Sequence, residues 1–302
     1  MLAYTVGLAD AGSNQAMNNQ ASPAFAFVRE FSERLSNGTL DLPACPAVAL
    51  RIQQALSNAE TSAHQFAKLA MMDPVLTAKL LQLANSALLN RGTMTVTDLN
   101  DAITRIGFDM VRNLAFDVGI ERTFSLKGNN SLRALHRDVR KHSHQVSILA
   151  FLLSRQFDLP VRPEEAMLAG LMHDIGKLYI LTRVAAYPAL FGDRENFDAL
   201  LSAWHTGVGR AIVELWGFPE PIAMAVDEHE ELARSASTAI DLADVVLVAN
   251  LLSHRGEPRY EEKPPVEQIP AFRRLNLDTE RCTRFVERTR SVVDSIIGSL
   301  AD

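Results

Sequence analysis

The residue types in this chain that could do metal or phosphate chemistry are histidines and aspartates in apolar helical segments. The doublet His173-Asp174 stands in one such segment, EEAMLAGLMHDIGKLYIL, at positions 164–181. An imidazole beside a carboxylate in apolar surroundings is costly unless both groups are paired or bind a metal ion. Side chains one residue apart on a helix diverge by roughly 100°, so the doublet can flank an ion from two sides. Lys177, four residues after His173, can contact a phosphate or pair with Asp174.

A predicted helix positions the His173-Asp174 doublet. The apolar residues Met167, Leu168, Leu171 and Met172 recur at helical spacing, which predicts a helix with a buried stripe running directly into His173. The rest of the chain repeats this period without an alternating strand pattern, which predicts an all-α fold. Further helices are predicted at residues 24–35, 47–56, 75–88, 99–106, 109–124, 132–156, 197–204, 207–216, 219–229, 237–254 and 278–300.

Turns and prolines divide the predicted helices into parts. The turn Lys127-Gly128-Asn129-Asn130 predicts a boundary between two helical lobes, at residues 24–127 and 128–254. Residues 1–23 are predicted to be a loose polar leader, because they lack the basic and apolar regions of a secretory signal. Prolines and charged residues after position 254 predict an irregular connection, followed by a carboxy-terminal helix, over residues 255–302.

Composition narrows the class of protein. Hydrophobic residues make up 47% and charged residues 22% of the 302 positions, as in ordinary globular proteins. A net charge of −6 predicts no nucleic-acid-binding surface. Cys45 and Cys282 lie far apart and form no CxxC pair, so a disulfide scaffold is not expected and a cytoplasmic location is predicted. No apolar run reaches the roughly 18 residues of a membrane span.

Several segments resemble those of known families. The string AGLMHDIGKL resembles the signature of the HD superfamily, which comprises helical metal-dependent phosphohydrolases and their degenerate relatives. HSHQVS at positions 142–147 and WHTGVGRAIVELWGFP at 204–219 resemble further parts of that pattern. The first half resembles the HD-related output domain (HDOD) family at Leu42-Pro43, Asp73-Pro74, LANS (83–86), Ala102-Ile103 and Gly107. The resemblance covers about Leu40 to His254 and implies a multi-helix HD-superfamily-like domain with an amino-terminal helical lobe.

The resemblance also implies a set of metal ligands. The implied ligands are His142, His173, Asp174, His205, His229 and Asp244, with Asp138 peripheral, one helical turn before His142. Imidazole nitrogens and carboxylate oxygens suit iron, manganese or zinc, and two such ions can share a bridging carboxylate. Paired ions generate hydroxide at neutral pH and hold the oxygens of a phosphate ester. One or two divalent ions (Fe, Mn or Zn) are therefore the expected cofactors.

Each implied ligand also has an ordinary structural explanation. The alternatives are a surface histidine on a polar face, an ion pair with neighbouring charges and a helix cap. His142, beside His136 and His144, could be the surface histidine. His229 could form an ion pair with its acidic neighbours, and Asp244 could pair with Arg234. His205, near Gly207, could cap a helix. From the sequence, metal binding and these structural roles are balanced alternatives.

One departure from the resembled enzymes bears on function. Hydrolases of the HD-GYP branch, which cleave cyclic di-GMP, carry two consecutive histidines and a Gly-Tyr-Pro motif. Here His229 is followed by Glu230, and EELARSAST continues without that motif. The resemblance therefore favours a noncatalytic bacterial HDOD regulatory protein that acts through a signalling protein partner. The alternative is a metal-dependent phosphohydrolase or phosphodiesterase acting on a nucleotide or cyclic dinucleotide, with Lys177 as a phosphate contact.

Overall fold

The structure of the protein is a computed structural model. It describes residues 29–301, apart from 32, 35–36, 38, 59, 87–94, 186–193, 235–238, 256 and 258–262. The predicted leader, residues 1–23, lies outside the described residues, as does most of the predicted helix at 24–35. The described residues form helices and no strand, which confirms the predicted all-α fold.

Thirteen α-helices and one short 3-10 helix are assigned within the described part of the chain. In chain order they are α1 (Ala47–Leu56), α2 (Ala63–Met71), α3 (Pro74–Ala84), α4 (Leu99–Ile106), α5 (Phe108–Thr123), α6 (Asn130–Gln156), α7 (Pro163–Met172), α8 (Ile175–Val184), α9 (Arg194–Leu215), α10 (Glu220–Glu228), α11 (Leu242–Ser253), the 3-10 helix Val266–Gln268, α12 (Pro270–Arg274) and α13 (Thr279–Ala301). None of the helices described combines the length and apolar character that crossing a membrane requires.

Helix starts follow from capping residues in the sequence. Ser62 and Gln65 form a reciprocal capping box at the start of α2. Asp73 caps α3, whose first residue is proline, and Asp98 caps α4. The Asn129 side chain accepts from two backbone N–H groups at the start of α6. These side chains satisfy N–H groups that have no partner within their own helix, so the local sequence determines where these helices begin.

The first five helices contribute to a hydrophobic core that continues into the second half of the chain. Phe66 of α2 and Phe108 of α5 stack with ring centroids 4.4 Å apart. Asn85, at the end of α3, donates to the Leu81 carbonyl at 2.9 Å and exchanges two hydrogen bonds with the Val96 backbone, each 2.8 Å. An asparagine amide on an apolar helix is stable only with such partners, and here it ties two distant segments together.

In the second half, helices approach each other closely at glycines. A Cβ on Gly170 of α7 would lie 2.8 Å from the Ser147 Cα of α6, and one on Gly176 of α8 would lie 1.9 Å from the His205 carbonyl oxygen of α9. A side chain at either position would therefore force the backbones apart. The close approach brings the histidine-bearing helices α6 and α9 against the segment that carries His173.

The predicted helix that runs into His173 is α7, which ends at Met172, and a separate helix, α8, begins at Ile175. A predicted break within α9 is wrong. The predicted helices at 197–204 and 207–216 are one helix, α9. A Cβ at Gly207 would meet no atom within 4 Å, so this glycine is an exposed helical residue and marks no break.

The apolar frame around His173 is buried as the helical period predicts. Leu168, Leu171, Ile175 and Leu178 are at most 8% exposed, and so is Trp216 at the end of α9. The Trp216 indole donates to the Pro43 carbonyl at 2.8 Å, which links the second half to the connector before α1. The carboxy-terminal helix α13 contacts both α3 and α6, so it packs against both halves of the chain.

Candidate metal centre

Four histidines converge on the Asp174 carboxylate; this group is the histidine cluster below. His142 comes from the middle of α6 and His205 from the middle of α9. His173 and Asp174 fill the break between α7 and α8, and His229 follows the last residue of α10. His173, Asp174, His205 and His229 are at most 1% exposed, whereas the His142 side chain is 17% exposed.

The same hydrogen bond fixes three of the four imidazole rings. Nδ1 of His173 lies 2.8 Å from the Gly170 carbonyl oxygen, that of His205 2.7 Å from the Leu201 carbonyl and that of His229 2.8 Å from the Val226 carbonyl. A carbonyl only accepts, so each Nδ1 must carry a hydrogen. In a neutral ring, Nε2 is then the free acceptor, and its orientation is set by a backbone contact typical of metal-binding histidines.

His142 is oriented in a similar way by a hydroxyl. Its Nδ1 lies 3.4 Å from Ser253 Oγ, whose own hydrogen is donated to the Asn250 carbonyl at 2.6 Å. The hydroxyl therefore accepts from His142. The His254 ring stacks on His142 with centroids 4.6 Å apart and holds the imidazole from another side.

The free nitrogens form two groups that share Asp174. Nε2 of His173 and of His142 lie 3.4 and 3.8 Å from Asp174 Oδ2. Nε2 of His229 and of His205 lie 3.5 and 3.7 Å from Oδ1 of the same carboxylate. Within each group, one nitrogen or oxygen atom from each residue lies within 4.8 Å of the others. One carboxylate thus faces two pairs of imidazoles.

The imidazole nitrogens of each pair are separated by the distance expected for a hydrogen bond or for two ligands of one cation. His142 and His173 have their Nε2 atoms 3.2 Å apart, and those of His205 and His229 are 3.3 Å apart. Burial, more than the neighbouring charges, lowers the pKa of His142 to about 3 and that of His229 to about 4, so both rings are neutral near pH 7. Two facing lone pairs repel unless a proton or a metal ion lies between them, and burial disfavours the added proton.

The spacing of these atoms fits a divalent ion. Two ligands bound about 2.1 Å from a tetrahedral ion lie about 3.4 Å apart. The separations within both groups, from 3.2 to 3.8 Å, are close to that value. The residues present therefore fit one ion in each group, with imidazole nitrogen and carboxylate oxygen as ligands.

Lys177 and Glu230 close one side of the cluster. Lys177 Nζ donates to Asp174 Oδ2 at 3.1 Å and lies 2.9 Å from Oδ1, while 3.5 Å separates it from Glu230 Oε1. Burial alone would lower the pKa of Lys177, but Asp174 and Glu230 outweigh it and raise the pKa, so the side chain is an ammonium ion. Glu230 Oε1 is also 3.4 Å from His205 Nε2, within reach of a shared ion.

Asp244 does not join the histidine cluster. Its carboxylate is fully buried and bonds to the guanidinium groups of Arg234 and Arg274. Two arginines occupy both its oxygens, so the ion pair with Arg234 is the alternative that the structure supports at this position. Asp138 lines the cavity beside His142 and lies outside the two ligand groups found among the described residues.

A cavity of about 640 Å³ opens beside the cluster, and its lining combines Lys177, which the sequence analysis identified, with residues that it did not. Its lining includes Lys177, Glu230, Asn250, His254 and Lys263. The buried Oδ1 of Asn250 accepts no hydrogen bond, so it is an oxygen donor without a partner in the wall that also carries His142. Asn250 lies on the buried helix α11, and only the fold shows that its amide oxygen has no partner.

Comparison with known proteins identifies the family. A family model for the HDOD domain matches residues 42–232, which is more than half of the chain. The chain belongs to the HDOD domain family. The family predicted from the motifs is therefore confirmed.

Solved structures share this HDOD fold at low sequence identity. A protein from Shewanella amazonensis SB2B, whose name proposes a metal-dependent phosphohydrolase, aligns with a TM-score of 0.75 and 24% identity over 92% of this chain and 99% of its own. An HDOD domain protein with unknown function from Geobacter sulfurreducens aligns with a TM-score of 0.62 and 23% identity, over 92% of this chain and 97% of its own. A protein from Marinobacter aquaeolei VT8, whose name proposes signal transduction, aligns with a TM-score of 0.68 and 20% identity, over 93% of this chain and 67% of its own.

A curated relative is longer than this chain. An uncharacterized protein of Treponema pallidum (strain Nichols) is 24% identical over 238 residues, or 74% of this chain. The chain spans 45% of that protein's length. These similarities establish the fold, whereas the chemistry of the histidine cluster rests on its own geometry.

Proposed function

We propose that this chain is a noncatalytic HDOD regulatory protein whose histidine cluster binds one or two divalent metal ions and which signals through a protein partner. The observation that carries the metal site is the pairing of imidazole nitrogens at 3.2 and 3.3 Å around a buried carboxylate. A cation between the paired nitrogens removes the repulsion between their lone pairs and neutralises Asp174. The relative from Marinobacter aquaeolei, named for signal transduction, is consistent with the regulatory role.

The residues divide between the two ions of the proposed centre. His142 and His173 with Asp174 Oδ2 would hold one ion, and Asn250 is a further oxygen donor in the same cavity wall. His205 and His229 with Asp174 Oδ1 would hold the other, and Glu230 is within reach of His205. Both sets combine imidazole and oxygen ligands, which suit iron, manganese and zinc.

The lysine position supports a regulatory rather than a catalytic centre. Lys177 is the cation that could contact a phosphate in the cavity, but its ammonium is engaged by Asp174 and Glu230. A phosphate would have to displace these carboxylates to reach it. Glu230 also stands where the resembled cyclic di-GMP hydrolases carry a second histidine, so the ligand set differs from that of those enzymes.

Elemental analysis tests the metal centre. Protein purified without chelators and without oxygen should contain between about one and two equivalents of iron, manganese or zinc, while a His173→Ala, Asp174→Ala double variant should contain almost none. The matched control is His64→Ala, which removes an exposed histidine from α2 and should leave the metal content unchanged. Wild-type protein that stays free of metal after incubation with each of the three ions would overturn the proposal.

A second candidate function is hydrolysis of a phosphate ester. The observation that favours it is the 640 Å³ cavity beside the cluster, with Lys177 and Lys263 in its wall. Metal ions bound there would supply Lewis acidity and a water of lowered pKa. This candidate also agrees with the name proposed for the Shewanella amazonensis relative.

Turnover assays separate the two functions. Wild-type protein loaded with manganese or iron is assayed with bis(p-nitrophenyl) phosphate and with cyclic dinucleotides, beside the His173→Ala, Asp174→Ala variant. The regulatory proposal expects bound metal without turnover. Metal-dependent turnover that disappears in the double variant would replace it with the hydrolase.

A further inference from the structure

A buried arginine joins the end of α10 to the start of α11. Arg234 is 4% exposed, and its guanidinium bonds to three carboxylates. Its Nε donates to Glu228 at 2.9 Å, and its two terminal nitrogens donate to Asp241 at 2.8 and 2.9 Å. It also donates to Asp244. One side chain therefore connects the last residue of α10 to the first turn of α11.

A second arginine fixes Arg234 itself. Arg274, at the end of α12, donates from Nε to Asp244 Oδ2 at 2.7 Å and from Nη2 to the Arg234 carbonyl at 3.3 Å. The Arg234 side chain thus bonds to Asp244, and its backbone carbonyl bonds to Arg274, which itself bonds to Asp244. We call Arg234, Arg274, Asp241 and Asp244 the arginine clamp.

The clamp holds a segment that includes His229 and Glu230. These two residues follow Glu228 directly, and Glu228 is the carboxylate through which the clamp contacts the end of α10. His229 and Glu230 in turn present their nitrogen and oxygen to the half of the cluster that contains His205. We propose that Arg234, acting through Glu228, is a positioning residue for the His205–His229 half of the metal centre; this rests on the proposed metal binding.

The Glu228 contact is separable from the charge balance of the clamp. Asp241 and Asp244 already balance the charges of Arg234 and Arg274, and the Glu228 side chain is 31% exposed. Removing Glu228 therefore leaves no buried arginine without a carboxylate. What is lost is the bond that fixes the residue before His229. Loss of a contact that orients a metal ligand typically lowers metal affinity about 10- to 100-fold.

Cobalt(II) binding to single halves of the centre tests the inference. Glu228→Ala is introduced into His142→Ala protein, which retains the His205–His229 half, and into His205→Ala protein, which retains the other half. Calorimetric titration should show cobalt binding weakened about 10- to 100-fold in the first background and unchanged within about twofold in the second. The visible absorption of bound cobalt should also change in the first background alone, because it reports ligand geometry.

Two further variants separate position from charge. Glu228→Gln retains an oxygen that accepts from Arg234 and should restore affinity in the His142→Ala background to near the Glu228 value. Glu231→Ala removes the same charge from an exposed neighbour that accepts from the Ala233 N–H, and should leave affinity unchanged. Thermal melting of each metal-free variant confirms that the fold is retained.

The outcomes separate this inference from the function on which it rests. Equal losses in Glu228→Ala and Glu228→Gln would show an effect of charge and overturn the positioning role, as would unchanged affinity in Glu228→Ala. Wild-type protein that binds no cobalt would overturn the metal centre itself and the inference with it. Weakening confined to the His142→Ala background and rescued by glutamine would support it.

Discussion

Asp117 and Asp174 are both buried carboxylates beside α6, yet their surroundings differ in kind. Asp117 is 3% exposed and contacts Lys79 Nζ at 3.4 Å, Arg140 Nη2 at 2.7 Å and His144 Nε2 at 2.7 Å. Asp174, at 1% exposure, faces four imidazoles and one lysine. Both carboxylates are similarly buried, but only Asp117 has two strongly basic partners, Lys79 and Arg140.

The difference separates a site that the protein's own cations satisfy from the proposed metal site. Burial would raise the pKa of Asp117, but His144, Arg140 and Lys79 outweigh it and hold the pKa below the usual range. The protein itself therefore satisfies Asp117. Around Asp174 the imidazoles present lone pairs, which the proposed metal ions would satisfy. His142 and His144 lie on nearly opposite faces of one helix, so α6 contributes to both sites.

The largest expected effect is the loss of metal from Asp174→Asn. Both ligand groups share this carboxylate, so its replacement should reduce metal content from one or two equivalents to almost none. Elemental analysis of protein incubated with manganese, iron or zinc measures it. Asp117→Asn is the matched comparison and should retain the wild-type metal content. Full occupancy in Asp174→Asn would show that the ions do not depend on a shared carboxylate.

Replacing Asp117, by contrast, should lower the stability of the fold. Asp117→Ala removes the carboxylate that contacts Lys79, Arg140 and His144, and breaking a buried ion pair from one side typically costs about 3–5 kcal/mol. Urea denaturation of metal-free protein should show this loss in the free energy of unfolding. A loss below about 1 kcal/mol would contradict the view of Asp117 as a closed, self-satisfied site.

The sequence predicts local features of this molecule well and long-range pairing poorly. Capping at Ser62, Asp73 and Asp98 depends on neighbours two or three residues away, so it is a property of the local sequence. The fate of Asp244 depends on Arg274, 30 residues later, which helical periodicity does not reveal. Its residue type suited a metal ligand, but tertiary packing brought two arginines to it.

The candidate site shows the same limit. The histidines are predictable because imidazoles are few in this chain and stand in motifs that resemble a known family. Glu230 and Asn250 have no such signal, since a glutamate among acidic neighbours or an asparagine on a helix is ordinary. Only the fold shows that one lies 3.4 Å from His205 and that the other has an unpartnered oxygen.

The packing between the two sites should contribute a smaller share of stability. Leu171 is 8% exposed on α7 and lines a small cavity together with Asp117 and His144. Leu171→Ala should lower the free energy of unfolding by about 2–5 kcal/mol, because it enlarges a cavity in the core. The control is Leu215→Ala at a 59% exposed position, where the change should stay within about 0.5 kcal/mol. Equal losses of stability in Leu171→Ala and Leu215→Ala would show that α7 lies outside the core.

The smallest effect concerns the pH dependence that Asp117 confers. Its folded-state pKa is held below the usual range, so the unfolded chain, with a carboxyl pKa of about 3.9, binds the proton more tightly. The contribution of Asp117 is therefore fully present above about pH 4 to 5 and declines as the pH falls through and below the unfolded value. Denaturant melts of wild type and Asp117→Asn at pH 3 and pH 6 measure it. The stability difference between the two proteins should be smaller at pH 3, whereas Glu280→Gln, at an exposed surface pair, should show little change. A difference that grows toward acid would mean that burial, and not the surrounding cations, controls the charge of Asp117.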